Sequence, residues 1–92
     1  MKATLLKVTG ETVEISPVNG TCFTLEEAQI LVNGFVQVID IFPDKIMIMN
    51  EEGKFHFELN VEATRIALMN RSIFPDDYIA GDAIVCDTTM FL

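Results

Sequence analysis

Residues 35–50, FVQVIDIFPDKIMIMN, constrain the fold more than any other part of this chain. Phe35, Val36, Val38, Ile39 and Ile41 put apolar side chains on both faces of an extended segment, and Ile46 to Met49 do so again after a Pro43-Asp44 turn. Runs rich in β-branched and aromatic residues favour strands, and a Pro-Asp pair between them favours a turn. A strand apolar on both faces needs cover on both. Each of the two is therefore expected to be central, with helices on one side and a further layer, or a second copy of the chain, on the other.

The residues just before this hairpin form its first cover. Thr24 followed by Glu27 is a capping box, in which the Thr hydroxyl accepts from the Glu27 N–H and the carboxylate accepts from the Thr24 N–H. Glu26 and Glu27 also suit the positive end of a helix dipole. Leu25, Ala28, Leu31 and Val32 repeat at helical spacing, and Asn33-Gly34 offers a left-handed stop. The spacing predicts a two-turn helix ending near Val32, too short to stand without packing.

The remaining elements read in order. Residues 3–8 and 12–15 form an opening hairpin around Thr9-Gly10-Glu11, and Asn19-Gly20 is a turn within a loop. Asn50-Glu51-Glu52-Gly53 reads as a turn with Gly53 left-handed, and Phe55, Phe57 and Leu59 alternate with Lys54, His56 and Glu58 as a half-buried third strand of that region. Asn60 is a helix N-cap, with a second helix over 61–70. A loop over 73–78 and a Gly81-Asp82 turn lead to a last strand over 83–87. The tail, 88–92, is read as a loose end whose Met90, Phe91 and Leu92 could pack on a neighbour. The fold class is α+β: a small, mostly antiparallel sheet of five to six strands with two short helices, in one domain over residues 1–92.

Composition excludes several functions. Six basic against fourteen acidic residues leave a formal charge of −8, which argues against nonspecific nucleic-acid or anionic-membrane binding. Such a charge suits a basic protein surface, and it also keeps an apolar small domain soluble. Half the residues are apolar and the mean hydropathy is +0.36, which favours a homo-oligomer. No run reaches the ~20 apolar residues that cross a bilayer, and the start is not a secretory signal. A cytoplasmic location is expected. Cys22 and Cys86 lack metal spacing and read as reduced core residues, with a disulfide between them left open by sequence alone.

No catalytic constellation stands out, and an enzyme is not expected. His56 is the single histidine and has no cysteine near it in sequence; the five glycines are isolated at turns, so no phosphate loop exists. The acidic doublets Glu26-Glu27, Glu51-Glu52 and Asp76-Asp77 place adjacent carboxylates that do not converge on one ion, so neither a metal nor another cofactor is expected.

The order of motifs resembles a known family. K-A-x-L-[IL]-K-V at Lys2 to Val8, T-L-E-E-x-Q-x-L-V-x-G at Thr24 to Gly34, N-x-x-A-T at Asn60 to Thr64 and G-D-A-[IV]-V at Gly81 to Val85 together resemble the domain of unknown function 3846, a group of small phage- and plasmid-borne proteins. The resemblance implies a mobile-element origin, an accessory role inside a host bacterium, and no particular activity. Members often carry a basic residue where this chain has Glu62, which weakens a shared anion site, although Arg65 and Arg71 are available in its place.

Three functions follow as expectations. The first is a counter-defence or host-modulating inhibitor that binds a host or defence-system protein through an acidic surface of Glu51, Glu52, Asp76 and Asp77. The second is an oligomeric sponge for a small nucleotide signal, with Asn60, Thr64, Arg65, Arg71 and Tyr78 as phosphate donors and stacking ring. The third is a structural or assembly role, in which the apolar tail and the two-faced strands make a multimer.

Overall fold

The computed structural model describes residues 2–91. It contains β1 (Ala3–Leu6), β2 (Thr12–Ile15), α1 (Leu25–Val32), β3 (Val36–Ile41), β4 (Lys45–Asn50), α2 (Gly53–His56), α3 (Val61–Met69) and β5 (Ala83–Asp87), followed by a 3-10 turn at Thr88–Met90. The five strands form one sheet in the order β2-β1-β5-β4-β3, antiparallel at every pairing. Two hairpins thus flank the last strand, which closes the sheet between them. The α+β class and the two longer helices agree with expectation; α2 is a third, one-turn helix.

Side chains alternate across the sheet, and each face has its own cover. Ala3, Leu5, Ile46, Ile48, Ile84 and Cys86 meet Ala28 and Val32 of α1, with Phe23 and Met90. Leu6, Ile41, Met47, Met49 and Ala83 meet Ala63 and Ala67 of α3, with Ile79. The small residues of α3 let its backbone approach the sheet closely. The second cover over β4 is therefore α3, within the same chain.

Both helices start as their sequences dictate. The Glu27 N–H donates to Thr24 Oγ1 at 3.1 Å, and the Thr24 N–H donates to Glu27 Oε1 at 3.0 Å. Glu27 also accepts from the Val18 N–H at 2.8 Å; that bond first, then the one from Thr24, holds its carboxyl below the usual range. Asn33 is left-handed at φ 64°, and Asn50 Nδ2 donates to the carbonyls of Val32 and Asn33 at 3.0 and 3.1 Å. A Cβ on Gly34 would lie 2.7 Å from that Asn50 nitrogen, so the glycine is needed there for space.

Four expectations are corrected. Residues 55–59 do not form a strand: the edge of β4 that a third strand would need is taken by β5, through pairs such as Ile46↔Cys86 and Ile48↔Ile84. The chain instead turns through α2, leaving His56 on a helix rather than a strand, and keeps only a bridge from Leu59 to Ala80. Gly53 is not left-handed; it opens α2, where a Cβ would collide with the carbonyl of Ala80. β3 is not central. It has the pattern of β4 but lies at the sheet edge, with Val38 exposed. The tail is not loose: Met90 is buried, and its carbonyl accepts from the Phe23 N–H at 2.6 Å. Leu92 lies outside the described residues. Among those described, no helix is long and apolar enough to cross a membrane.

Candidate functional site

Exposed aromatic and charged groups gather around α2 and the 71–80 segment, which line one cleft with β3 and the end of β4. Sequence-local and long-range bonds fix this segment. The Asn60 N–H donates to the Ile79 carbonyl at 2.8 Å, and Thr64 Oγ1 both accepts from the Ile79 N–H at 2.9 Å and donates to its carbonyl at 3.2 Å. With Ile79, Ala80 and Gly81 buried, the outward residues lie before them, at Phe74 to Asp76 and Tyr78, and around α2.

Those outward residues are aromatic and acidic. Phe55 is 81% exposed and Phe74 is 78% exposed, while Phe57, Leu59 and Tyr78 are also open to solvent. Lys54 Nζ lies 4.9 Å from the centre of the Tyr78 ring and pairs with Asp77. The Lys54 amine, followed by the Tyr78 N–H at 2.8 Å, holds the Asp77 carboxyl below its ordinary range. The same carboxylate raises the Lys54 amine.

Two concavities adjoin these groups. A cleft of about 160 Å³ lies between β3, the end of β4, α2 and the loop, and its lining includes Gln37, Ile39, Glu51, Lys54, Asp77 and Tyr78. A shallower hollow of about 500 Å³ is lined by Phe57, Leu59, Thr64, Pro75, Asp76, Asp77 and Tyr78. Glu51 and Asp77 thus meet in one cleft, Asp76 and Asp77 in its neighbour, and Glu52 stands exposed at the start of α2. Three of the four acidic residues singled out by sequence line these two concavities with Phe55, Phe57 and Tyr78, and Glu52 lines neither.

The residues proposed for a nucleotide are not gathered in this way. Thr64 and Tyr78 share the hollow, but Asp76 and Asp77 share it with them. Arg71 lies in a separate depression with Leu68, Ile73, Phe74 and Pro75. Arg65 forks onto Glu62 at 2.6 and 2.9 Å on the exposed side of α3. Asn60 is fully buried, and both ends of its amide are engaged within the protein.

Other reactive groups stand apart. His56 lines a hollow with Val8, Thr9, Asn33, Phe57, Glu58, Gly81 and Asp82, which contains no thiol. Cys22 is half-buried, Cys86 is buried, and both are free thiols. Burial pushes the Cys86 thiol up to about 11. Among the described residues, no group of three or more His, Cys, Asp or Glu could hold a metal ion. Sequence reasoning missed Phe55 and Phe74 as surface residues, because an apolar side chain in a small domain reads as core. The available signal was the dense flanking polarity: EEGK before Phe55 and PDD after Phe74.

A family model for DUF3846, a domain of unknown function, matches residues 1–90. The chain belongs to this family. No curated protein and no solved structure matches it. The motifs by which this chain resembles DUF3846 fall on structural positions: β1, the capped helix α1, the start of α3 and the turn into β5. Of their residues only Thr64 lines either concavity on the aromatic side. In this DUF3846 chain those motifs hold the fold, and the aromatic and acidic groups lie between them.

Proposed function

We propose that this DUF3846 protein is a non-enzymatic accessory protein that acts by binding another protein through the acidic, aromatic face of α2 and the 71–80 segment. Its setting in this reading is a phage or plasmid, and its role is counter-defence or modulation of the host. What supports it is the exposure of Phe55, Phe57 and Tyr78 in concavities that also hold Glu51, Asp76 and Asp77, with Glu52 and Phe74 exposed close to these in the chain. Aromatic groups that stay exposed in the folded domain provide desolvation energy on docking, and a rim that stays net acidic around the Lys54–Asp77 pair favours a cationic partner. A nucleotide sponge has less support, since its hollow carries two carboxylates, Arg65 is paired with Glu62, and Arg71 lies with Phe74 in a different depression.

The test compares retention of bacterial lysate proteins by the wild-type chain and by a Phe74→Ser, Asp76→Lys double variant. A protein retained at low salt, released towards ~0.5 M salt and lost with the variant supports the proposal. Retention that ignores both salt and the variant refutes it. Native mass spectrometry with cyclic dinucleotides and cyclic ADP-ribose isomers is the companion measurement, because a stoichiometric nucleotide complex would move the sponge ahead.

A further inference from the structure

We infer that the outer edge of β3 is a docking site for an extended, basic segment of a partner protein, which adds to the sheet as a sixth, antiparallel strand. This rests on the reading of the chain as a protein-binding module, and it concerns a second surface next to the aromatic face.

The ladder of β3 shows which groups are open. The Phe35 carbonyl accepts from the Glu51 N–H at 2.8 Å, so the backbone of Phe35 faces β4. Alternate residues of a strand bond to opposite sides, so Gln37, Ile39 and Ile41 also face β4, while Val36, Val38 and Asp40 turn their N–H and C=O groups away from the sheet. The Asp40 carbonyl is taken by the Ser72 hydroxyl. The N–H groups of all three residues and the carbonyls of Val36 and Val38 remain on the open side. Asp40 and the Ser72 contact guard the turn end of this edge, but the stretch from Val36 to Ile39 carries no proline, charge or bulge and is open to strand addition. The opposite edge is guarded: β2 has four residues and carries Glu14, paired with Lys2 at 3.4 Å.

Charge selects the occupant. Val36 packs against the α1-side core, so Val38 and Asp40 project to that same face by alternation. A residue laid opposite Asp40 is favoured if cationic, and those opposite Val36 and Val38 if β-branched. Asp44 in the β3–β4 turn and Glu51 beside Phe35 extend the negative charge past both ends. The lysine at the turn end, Lys45, is held by Asp87 at 3.6 Å. A second copy of this chain would bring its own Asp40 and another charge of −8 to the junction, so a cationic strand is the better complement. Gln37 and Ile39 on the other face line the cleft shared with Lys54 and Tyr78, which makes the edge continuous with the aromatic surface.

The test uses the full chain, labelled with 15N, and a capped probe peptide, Lys-Lys-Val-Val-Thr-Val-Lys, with a control in which glutamate replaces each lysine. The expected result is saturable movement of the Val36, Val38 and Asp40 amide resonances by the lysine peptide alone, weakened by salt. Val38→Pro removes one outward N–H without touching the β4 ladder, and Asp40→Lys reverses the charge; each is expected to weaken binding by about tenfold or more. A peptide N-methylated on its pairing side should not bind. Three results would overturn the proposal. One is movement confined to Phe55, Phe74 and Tyr78, insensitive to Val38→Pro, which would leave the aromatic face as a protein-binding surface on its own. Another is no binding by either peptide, with lysate capture then deciding the aromatic face separately. The third is a dimer in native mass spectrometry that dissociates with Val38→Pro, which would make a second copy the occupant.

Discussion

Replacing Asn60 tests whether the N-x-x-A-T segment of this chain holds the fold or a ligand. The side chain is fully buried at the junction of α3, the end of β1 and the turn into β5. Its Oδ1 accepts from the Ala63 N–H at 3.0 Å, and its Nδ2 donates to the carbonyls of Leu6 and Gly81, both at 2.9 Å. Asn60→Ala removes an N-cap, which costs about 1 kcal/mol. It also strips two buried carbonyls of a donor, at roughly 1–3 kcal/mol each if no water replaces it. Allowing for partial relaxation, the loss should be about 3–4 kcal/mol, from a total near 5–14 kcal/mol for a domain of this length. At roughly 4–8 °C per kcal/mol, Tm should fall by about 15–25 °C. Asn60→Asp keeps the cap acceptor but aims a carboxylate at two carbonyls. Its carboxyl should titrate above its unfolded value, so the native state of the variant takes up a proton first. Stability of that variant should therefore rise as pH falls through the raised value, opposite to the wild type. Urea unfolding of the three proteins from about pH 3 to about pH 8 measures both effects. A loss below about 1 kcal/mol for Asn60→Ala, or an Asp variant with the wild-type pH trend, would refute the cross-tie and return Asn60 to the pool of ligand contacts.

Further measurements probe other parts of the same structure. Glu27 titrates lower in the folded state than its ordinary 4.5, so its contribution is full above that pH and is lost as pH falls through the lowered value; Glu27→Gln should flatten the acid limb of a stability–pH curve, and an unchanged limb would contradict the capping geometry. Met90→Ala should cost about 2–4 kcal/mol through a cavity between Phe23 and the sheet, while native mass spectrometry finds the oligomeric state unchanged. Gly53→Ala should cost about 1–3 kcal/mol, because the Ala80 carbonyl occupies the space of the new methyl and α2 must shift; a neutral effect in thermal melts would show that α2 is not seated there. In a thiol-reagent assay at pH 8, Cys22 should react and Cys86 should not until the protein unfolds.

The parts of this fold that were legible in sequence are those settled within a few residues. Thr24 and Glu27 meet across one turn, Asn33-Gly34 stops the same helix, and Asn60 caps the next, so α1 and α3 could be read without knowing what they pack on. What could not be read depends on β5, which arrives last and enters the middle of the sheet. Its arrival takes the edge of β4 and leaves the alternating Phe55, Phe57 and Leu59 without a partner strand; it also puts β3 at the rim, although β3 and β4 have the same two-faced pattern. The candidate site shares this dependence. Glu51 and Asp77 are far apart in the chain and share a cleft because the 77–80 segment is tied to α2 and α3, through Lys54, Thr64 and the Leu59–Ala80 bridge, and leads directly into β5. The same closing strand that completes both cores therefore determines which aromatics remain outside them. A variant that weakens the β5 pairing, such as Ile84→Ala, should consequently disturb the aromatic face as well as the sheet, whereas Phe74→Ser should remove binding and leave the sheet intact.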